Sequence, residues 1–280
     1  MAAYELMIKT NHYLIKDGVL TNGQKAKIVR HLLAARNSDL EIQNFYAKMK
    51  AGSGSYPSYF LPPYNDNKKY QTVIPMSPKT HILSMNAYEM DILRLLHLFA
   101  PEDPGVKEMV TGRIKHLANS CPGGDCMYGE CFHSSVPTLR FFAVANSMDL
   151  TWMNRLVDKI HSGINQQYKG NALGYYWLCL SELPYDVAER GLLIYKDEIL
   201  DKLKKSVPMK TERNKINQPV LYYVMRNCLI RFPEFEHIKN RHPYINAKDG
   251  RLHFDVEHEF ETQLNIGDGY YQTKNDKLLT

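Results

Sequence analysis

The residue types that most readily bind metal ions or undergo redox chemistry are concentrated in one short segment of the chain. Residues 121–133 read CPGGDCMYGECFH and place Cys121, Cys126, Cys131 and His133 in the spacing Cys-x4-Cys-x4-Cys-x-His. Thiolate and imidazole groups are preferred ligands of zinc, and four of them can complete a tetrahedral site. The three glycines of the segment would allow the chain to fold back tightly between the ligands. The residue types of this segment therefore indicate zinc as the candidate cofactor.

The spacing of the cysteines leaves two other interpretations open. It matches neither the Cys-x2-Cys knuckles of structural zinc sites nor the usual iron–sulfur spacings. Cys121 and Cys126 could instead form a redox pair. Alternatively, Cys131 could pack in the core beside Phe132, with the other two cysteines as small loop residues in a reducing cell.

The elements that would position this segment are helices arranged in pairs. Met85, Ile92, Leu95, Leu96 and Phe99 share one helical face. A turn at 100–104 ends this helix, and its proline suits the first turn of the next helix. Similar pairs recur at roughly 36 to 49 residues, a spacing typical of helical-hairpin repeats. The further pairs are predicted at 136–145 with 150–164, 175–180 with 188–203, and 220–230 with a shorter helix to about 240.

These patterns predict an all-α fold of helical hairpins in two layers, with the more apolar helix of each pair inside. We expect a single domain over residues 1–260. Residues 51–78 contain five prolines and four tyrosines, so they cannot form one continuous helix. The high aromatic content favours a loop that packs on the domain surface, as a lid would, over a flexible linker. The parts are N-terminal helices at 1–50, this Pro/Tyr-rich loop at 51–80, hairpin repeats at 81–242, a small β-hairpin at 243–260, and a polar tail at 261–280.

The layout of residues 80–232 resembles the helical-hairpin units of the α/α-toroid proteins, the terpenoid cyclases and protein prenyltransferases. In residues 92–145 one helix ends, a short turn precedes a proline-started outer helix, and a glycine-rich loop leads into the next inner helix. The cyclases' aspartate-rich motif and their Gln…Trp repeats are absent. Asp125 and Cys126 are adjacent, whereas the prenyltransferase zinc set uses Asp-x-Cys. The resemblance therefore implies an incomplete toroid or a short solenoid, and no catalytic residue is carried over.

In such a ring the N-termini of the inner helices would surround one mouth of a central cavity, and their free N–H groups would attract anions. The candidate ligand-binding residues at this mouth are Asp125, Tyr128, Glu130, His133 and Arg140. Tyr222 and Arg226 are polar residues in an otherwise apolar inner helix and could line the cavity or bond to neighbouring turns.

Two functions from different classes follow. The first is binding of, or action on, a small or lipid-like ligand in a cavity between the inner helices. The second is a helical-repeat protein-interaction module without catalysis, stabilised by zinc.

Composition limits the partners and the cellular location that we expect. The net charge of +5 is small and its basic residues are dispersed, so a nucleic-acid partner is not expected. No run of about 18 apolar residues predicts a membrane span, and the first residues do not resemble a secretory signal. Because five cysteines are an odd number and three are clustered, we expect a reducing, cytoplasmic location. No Gly-x-Ser-x-Gly or phosphate-binding loop specifies a reaction.

Overall fold

The computed structural model describes residues 2–49, 57–62, 71–75, 81–145, 149–167 and 171–257. Within these residues the chain is mostly helical and carries one small antiparallel sheet near its C-terminal end, which confirms the predicted fold class. The polar tail predicted at 261–280 and most of the Pro/Tyr-rich loop lie outside the described residues. Among the helices that are described, none combines the length and apolar character needed to cross a membrane.

The elements follow the predicted pairs closely, with some shifted ends. The helices are α1 (Ala3–Ile15), α2 (Asn22–Leu33), α3 (Asp39–Met49), α4 (His81–Phe99), α5 (Pro104–Ala118), α6 (Gly129–His133), α7 (Ser135–Ala145), α8 (Leu150–Gln167), α9 (Asn171–Glu182), α10 (Tyr185–Leu203) and α11 (Glu212–Leu229). A 3-10 helix at Pro233–Ile238 takes the place of the short last helix, and the strands are β1 (Val207–Pro208), β2 (Tyr244–Ile245) and β3 (Arg251–His253).

The helices form two layers, and five of them contact one another in cyclic order. α4 packs on α7, α7 on α9, and α9 on α11, while α1 contacts both α11 and α4. We call α1, α4, α7, α9 and α11 the ring helices. The other long helices lie outside them, with α5 packed on α4, α8 on α7, and α10 on α9 and α11. The repeats therefore supply four ring helices, and α1 supplies the fifth.

The two layers differ in burial as their sequences predict. In α4 almost every side chain from residue 83 to residue 96 is buried, because neighbours cover the helix on all sides. In α8 only one face is buried, and it includes Met153, Leu156 and Ile160. The start of α5 is fixed by Asp103, whose carboxylate accepts a hydrogen bond from the Val106 N–H at 3.0 Å, and by Pro104 at the first helical position.

Segments outside the helices also contribute to the core. Phe60, Val73 and Ile74 are buried, so the described parts of the Pro/Tyr-rich loop pack against the helices. The sheet has the order β1-β3-β2, and Leu252 at its centre is buried. The sequence predicts only a hairpin here; β1 joins it from the turn before α11.

Candidate metal centre

Three cysteine side chains converge in the loop between α5 and α7. The Sγ atoms of Cys121, Cys126 and Cys131 all lie within 4.8 Å of one another, and each residue is partly buried. Sulfur atoms bound to one tetrahedral zinc ion lie roughly 3.8 Å apart, given a Zn–S bond of about 2.3 Å. Only small side-chain adjustments therefore separate this arrangement from three ligands of a metal site.

The loop reaches this geometry through two glycines. A Cβ atom at Gly123 would overlap the carbonyl oxygen of Leu117, so only glycine allows this close approach. Gly129 has a φ of 51°, in the left-handed region that favours glycine, and it starts the short helix α6 that carries Cys131. Trp152 on α8 donates its Nε1–H to the Gly123 carbonyl at 2.9 Å. The two glycines and the contact with Trp152 of α8 thus define the path of the loop.

A lysine of α8 holds the same loop. The Lys159 ammonium donates to the carbonyl oxygens of Cys121 at 3.1 Å and Gly124 at 2.6 Å, and the residue is only 7% exposed. Burial lowers the pKa of Lys159, while the neighbouring Cys126 and Asp125 act in the opposite direction. A positive charge therefore lies beside the thiols.

The thiols are crowded enough to alter one another's ionisation. Burial, together with the neighbouring Cys121 and Cys126, raises the pKa of Cys131 to about 11. Without a cation, Cys131 is therefore a neutral thiol at neutral pH. A bound metal ion would have to displace its proton, as thiolate metal sites generally require.

The fourth predicted metal ligand does not join the other three. Within the part of the chain that the structure describes, the cluster consists of cysteines, and His133 lies outside it. The His133 ring instead packs beside Phe132, with the ring centroids 5.9 Å apart.

The other residues predicted for the mouth of a cavity lie on or near the loop surface. Asp125 forms an exposed ion pair with Arg155. Tyr128 is 83% exposed. Glu130 on α6 accepts a hydrogen bond from the Leu83 N–H at 3.2 Å and so links the loop to the start of α4.

Arg140, the last residue of that predicted set, is buried among the ring helices. Its Nη1 donates to Asp91 at 2.6 Å, its Nε to Glu182 at 2.7 Å, and its Nη2 to Asn11 at 2.9 Å. Arg94 also pairs with Glu182 at 2.9 Å. We call these five residues the axial network, because they come from α1, α4, α7 and α9 and meet between them.

The axial network combines two arginine side chains with two carboxyl groups. Burial opposes ionisation of Glu182, but Arg140 and Arg94 outweigh it and lower the pKa of that carboxyl. For Asp91, burial outweighs Arg140 and Arg94 and raises the pKa. The Tyr175 hydroxyl donates to Asp91 at 3.2 Å. The donors of Arg140 are therefore engaged by neighbouring side chains.

A second buried ion pair was not predicted from the sequence. Arg113 on α5 approaches Glu89 on α4 with Nε 3.1 Å from Oε1, and both side chains are almost fully buried. The other oxygen of Glu89 accepts hydrogen bonds from three successive backbone N–H groups, those of Ser58 at 2.8 Å, Tyr59 at 2.6 Å and Phe60 at 2.9 Å. One carboxylate thus joins α4 to α5 and to the loop at 57–62.

The two polar residues predicted in the last inner helix bond to neighbouring segments. Tyr222 donates its hydroxyl to the Lys205 carbonyl. Arg226 pairs with Asp17, just after α1, and donates to the Arg241 carbonyl at 3.1 Å. These contacts tie α11 to its surroundings, and none of them is made with the loop between α5 and α7, which we call the cysteine loop.

The protein surface has a cavity beside α1 and a groove beside the cysteine loop. A cavity of about 240 Å³ lies between α1, the 71–75 segment and the first turns of α11, with Tyr4, His12, Val73 and Asn217 in its wall. An open groove of about 440 Å³ lies beside the cysteine loop and is lined by Asp125, Met127, Arg155 and Lys159 among others.

Comparison of the chain with models of protein families, with curated proteins and with solved structures gave no match. The site is therefore interpreted from its own geometry.

Proposed function

We propose that this chain is a helical-repeat scaffold that binds one thiophilic metal ion, with zinc as the first candidate, in its cysteine loop. The observation that carries the proposal is the convergence of Cys121, Cys126 and Cys131, whose Sγ atoms lie within 4.8 Å of one another. Three neutral thiols gain little from such crowding. Three thiolates around a cation each form a metal–sulfur bond, and soft thiolates favour zinc and similar ions.

The role proposed for the ion is structural. The cysteine loop joins the outer helix α5 to the ring helix α7, and it has little regular structure apart from the single turn of α6. A metal ion that binds only the folded loop contributes its binding free energy to folding. The ion would therefore fix the connection between two hairpins of the repeat.

The polar groups among the ring helices also favour a scaffold over a catalyst. Arg140 uses its guanidinium on Asp91, Glu182 and Asn11, and Arg226 uses its own on Asp17 and a backbone carbonyl. Groups that satisfy one another in this way are not presented to a substrate. The hypothesis of a small or lipid-like ligand within the ring stays a prediction, and it receives less support because the axial network and buried aromatic side chains occupy that region.

Metal content tests the proposal directly. We expect the purified protein to contain one zinc ion per chain by elemental analysis. Replacement of zinc by Co²⁺ should give an intense sulfur-to-cobalt charge-transfer band. Cys126→Ser should lose both signals because it removes one of the three ligands.

Cys228→Ala is the matched control, since Cys228 is a buried cysteine of α11 that lies outside the cluster. It should retain wild-type metal content and the cobalt spectrum. Metal-free protein that is unable to bind zinc or Co²⁺ under reducing conditions would refute the proposal. Loss of two free thiols on purification without reductant, with no metal present, would favour the Cys121–Cys126 redox pair instead.

A further inference from the structure

Lys159 carries a positive charge beside the cysteine loop. Its ammonium contacts two carbonyl oxygens, and within the described residues it forms no ion pair with a carboxylate. The nearby acidic residues have other partners, because Asp125 pairs with Arg155, and Asp158 pairs with Arg190 at 2.8 Å. Asp125 acts on Lys159 only from beyond ion-pair distance, and a buried ammonium that contacts no anionic group is costly, so an anionic group in contact with it would stabilise this arrangement.

The three thiols can supply that neighbour only as thiolates. Three thiolates around a divalent cation carry a net single negative charge, which one lysine neutralises. Around a monovalent cation they would carry a net double negative charge, of which Lys159 would balance half. The charges of the three thiolates and Lys159 therefore match a divalent ion.

We propose that Lys159 is the charge-balancing and positioning residue of the cysteine loop, and that the ion bound there is a divalent thiophilic cation such as Zn²⁺, Cd²⁺ or Co²⁺. This inference rests on the proposed metal-binding function and adds to it the charge of the ion and a residue that does not contact the metal. Lys159 acts in two ways. It fixes the carbonyl groups of Cys121 and Gly124, and its charge stabilises the thiolates once the ion has displaced their protons.

Four variants separate these two actions. Lys159→Met removes both the charge and the hydrogen bonds, Lys159→Gln retains amide N–H donors without the charge, and Lys159→Arg retains the charge. Lys107→Met is the matched control. It removes one lysine charge at the first turn of α5, roughly 20 Å along that helix from the cysteine loop.

The experiment measures Zn²⁺ and Co²⁺ affinity at one pH by competition with a chelator of known affinity. Lys159→Met and Lys159→Gln should each weaken binding by about 10- to 100-fold, the range typical of residues that support metal ligands. Lys159→Arg should recover most of the loss, and Lys107→Met should bind as the wild type does. At saturation the charge-transfer band of bound Co²⁺ should keep its wild-type intensity in every variant, because the number of thiolate ligands does not change.

The outcomes distinguish this inference from the function on which it rests. A wild-type protein unable to bind either ion ends both. A wild-type protein that binds, together with a Lys159→Met variant of equal affinity, ends the inference alone. A weaker charge-transfer band in Lys159→Gln would also overturn it, since it would show a lost ligand and not a lost charge. Should Lys159→Met fail to fold, Lys159→Gln and Lys159→Arg still give the comparison. Monovalent copper (Cu⁺) in the purified protein would refute the assigned ion charge.

Discussion

Replacement of Glu89 by glutamine changes the charge of a buried group while leaving its size almost the same. In the native protein one oxygen of Glu89 accepts three backbone N–H groups, and the other faces Arg113 Nε at 3.1 Å and the Ser58 N–H at 3.0 Å. The oxygen of glutamine can retain the three backbone contacts. Its amide nitrogen must then face the Ser58 N–H and the Arg113 guanidinium, and neither of these groups can accept a hydrogen bond. The substitution thus removes the negative charge that faces the Arg113 guanidinium.

The expected loss of stability follows from the burial of both partners. The Arg113 side chain is 1% exposed and the Glu89 side chain is fully buried, so water does not solvate either group after the substitution. Removing one partner of a buried ion pair typically costs about 3–5 kcal/mol. We therefore expect Glu89→Gln to lower the free energy of unfolding by about 3–5 kcal/mol, a large part of the roughly 5–15 kcal/mol that holds a domain together.

Two measurements test this expectation together. Urea denaturation should show the lower midpoint, and hydrogen exchange should show faster exchange of the amides of Ser58, Tyr59 and Phe60. The matched control is Glu189→Gln, which alters an exposed glutamate of α10 and should change the stability by less than about 0.5 kcal/mol. If Glu89→Gln costs less than 1 kcal/mol, or leaves exchange at the three amides unchanged, the reasoning about this carboxylate is wrong.

Three further predictions address the metal, the axial network and pH. Zinc at about 100 times its dissociation constant should stabilise the metal-free wild type by about 2.7 kcal/mol in urea unfolding but leave Cys126→Ser unaffected; an equal response would argue against the site. Arg140→Met should destabilise by about 3–5 kcal/mol, whereas Arg155→Met, which breaks an exposed pair, should leave the unfolding midpoint close to that of the wild type; similar losses would contradict the assigned burial. Burial lowers the pKa of His12 from 6.5 to about 4, so protonation favours the unfolded chain and stability present above pH 6.5 is lost as the pH falls towards 4. The wild type should lose about 2 kcal/mol more than His12→Gln between pH 7 and pH 5, and parallel pH profiles would refute this.

The sequence predicts the hairpins because their signals are local. Proline at the first turn of α5, apolar residues at helical spacing, and a glycine-rich connector can each be recognised within a few residues. The convergence of the three cysteines is also partly local, since they lie within 11 residues of one another. The sequence could not predict which of the four candidate ligands would lie together. Their positions depend on the direction in which α6 turns and on Trp152 and Lys159 of α8, which bind the loop from outside.

The buried charges could not be predicted for a different reason. Glu89, Asp91 and Arg94 interrupt the apolar sequence of α4, and charges on a helix usually mark a solvated face. They are buried here because their partners come from distant parts of the chain, such as Arg140 for Asp91 and Arg113 for Glu89. Asp91 and Arg94 are three residues apart and share one helical face, so their spacing could have suggested a shared environment, whereas Glu89 lies on another face of α4.

The helical patterns recognised at the N-terminus begin only near Gln24 and Ser38, so α1 was missed for the same reason, and its polar residues explain how the ring closes. Thr10, Asn11 and His12 are buried, so the helix lacks the apolar stripe that would predict it. Asn11 accepts from Arg140 on α7, and the carbonyl of Ile15 at the end of α1 accepts from the side chain of Asn227 on α11 at 3.2 Å. Hydrogen bonds of this kind depend on direction, whereas apolar contacts tolerate a shift along the helix. A displacement of α1 by one turn would break both hydrogen bonds, the one from the buried Arg140 of α7 and the one from the half-buried Asn227 of α11. Closure of the ring in a single register therefore follows from the polar residues of α1, although the apolar helices supply most of the buried surface.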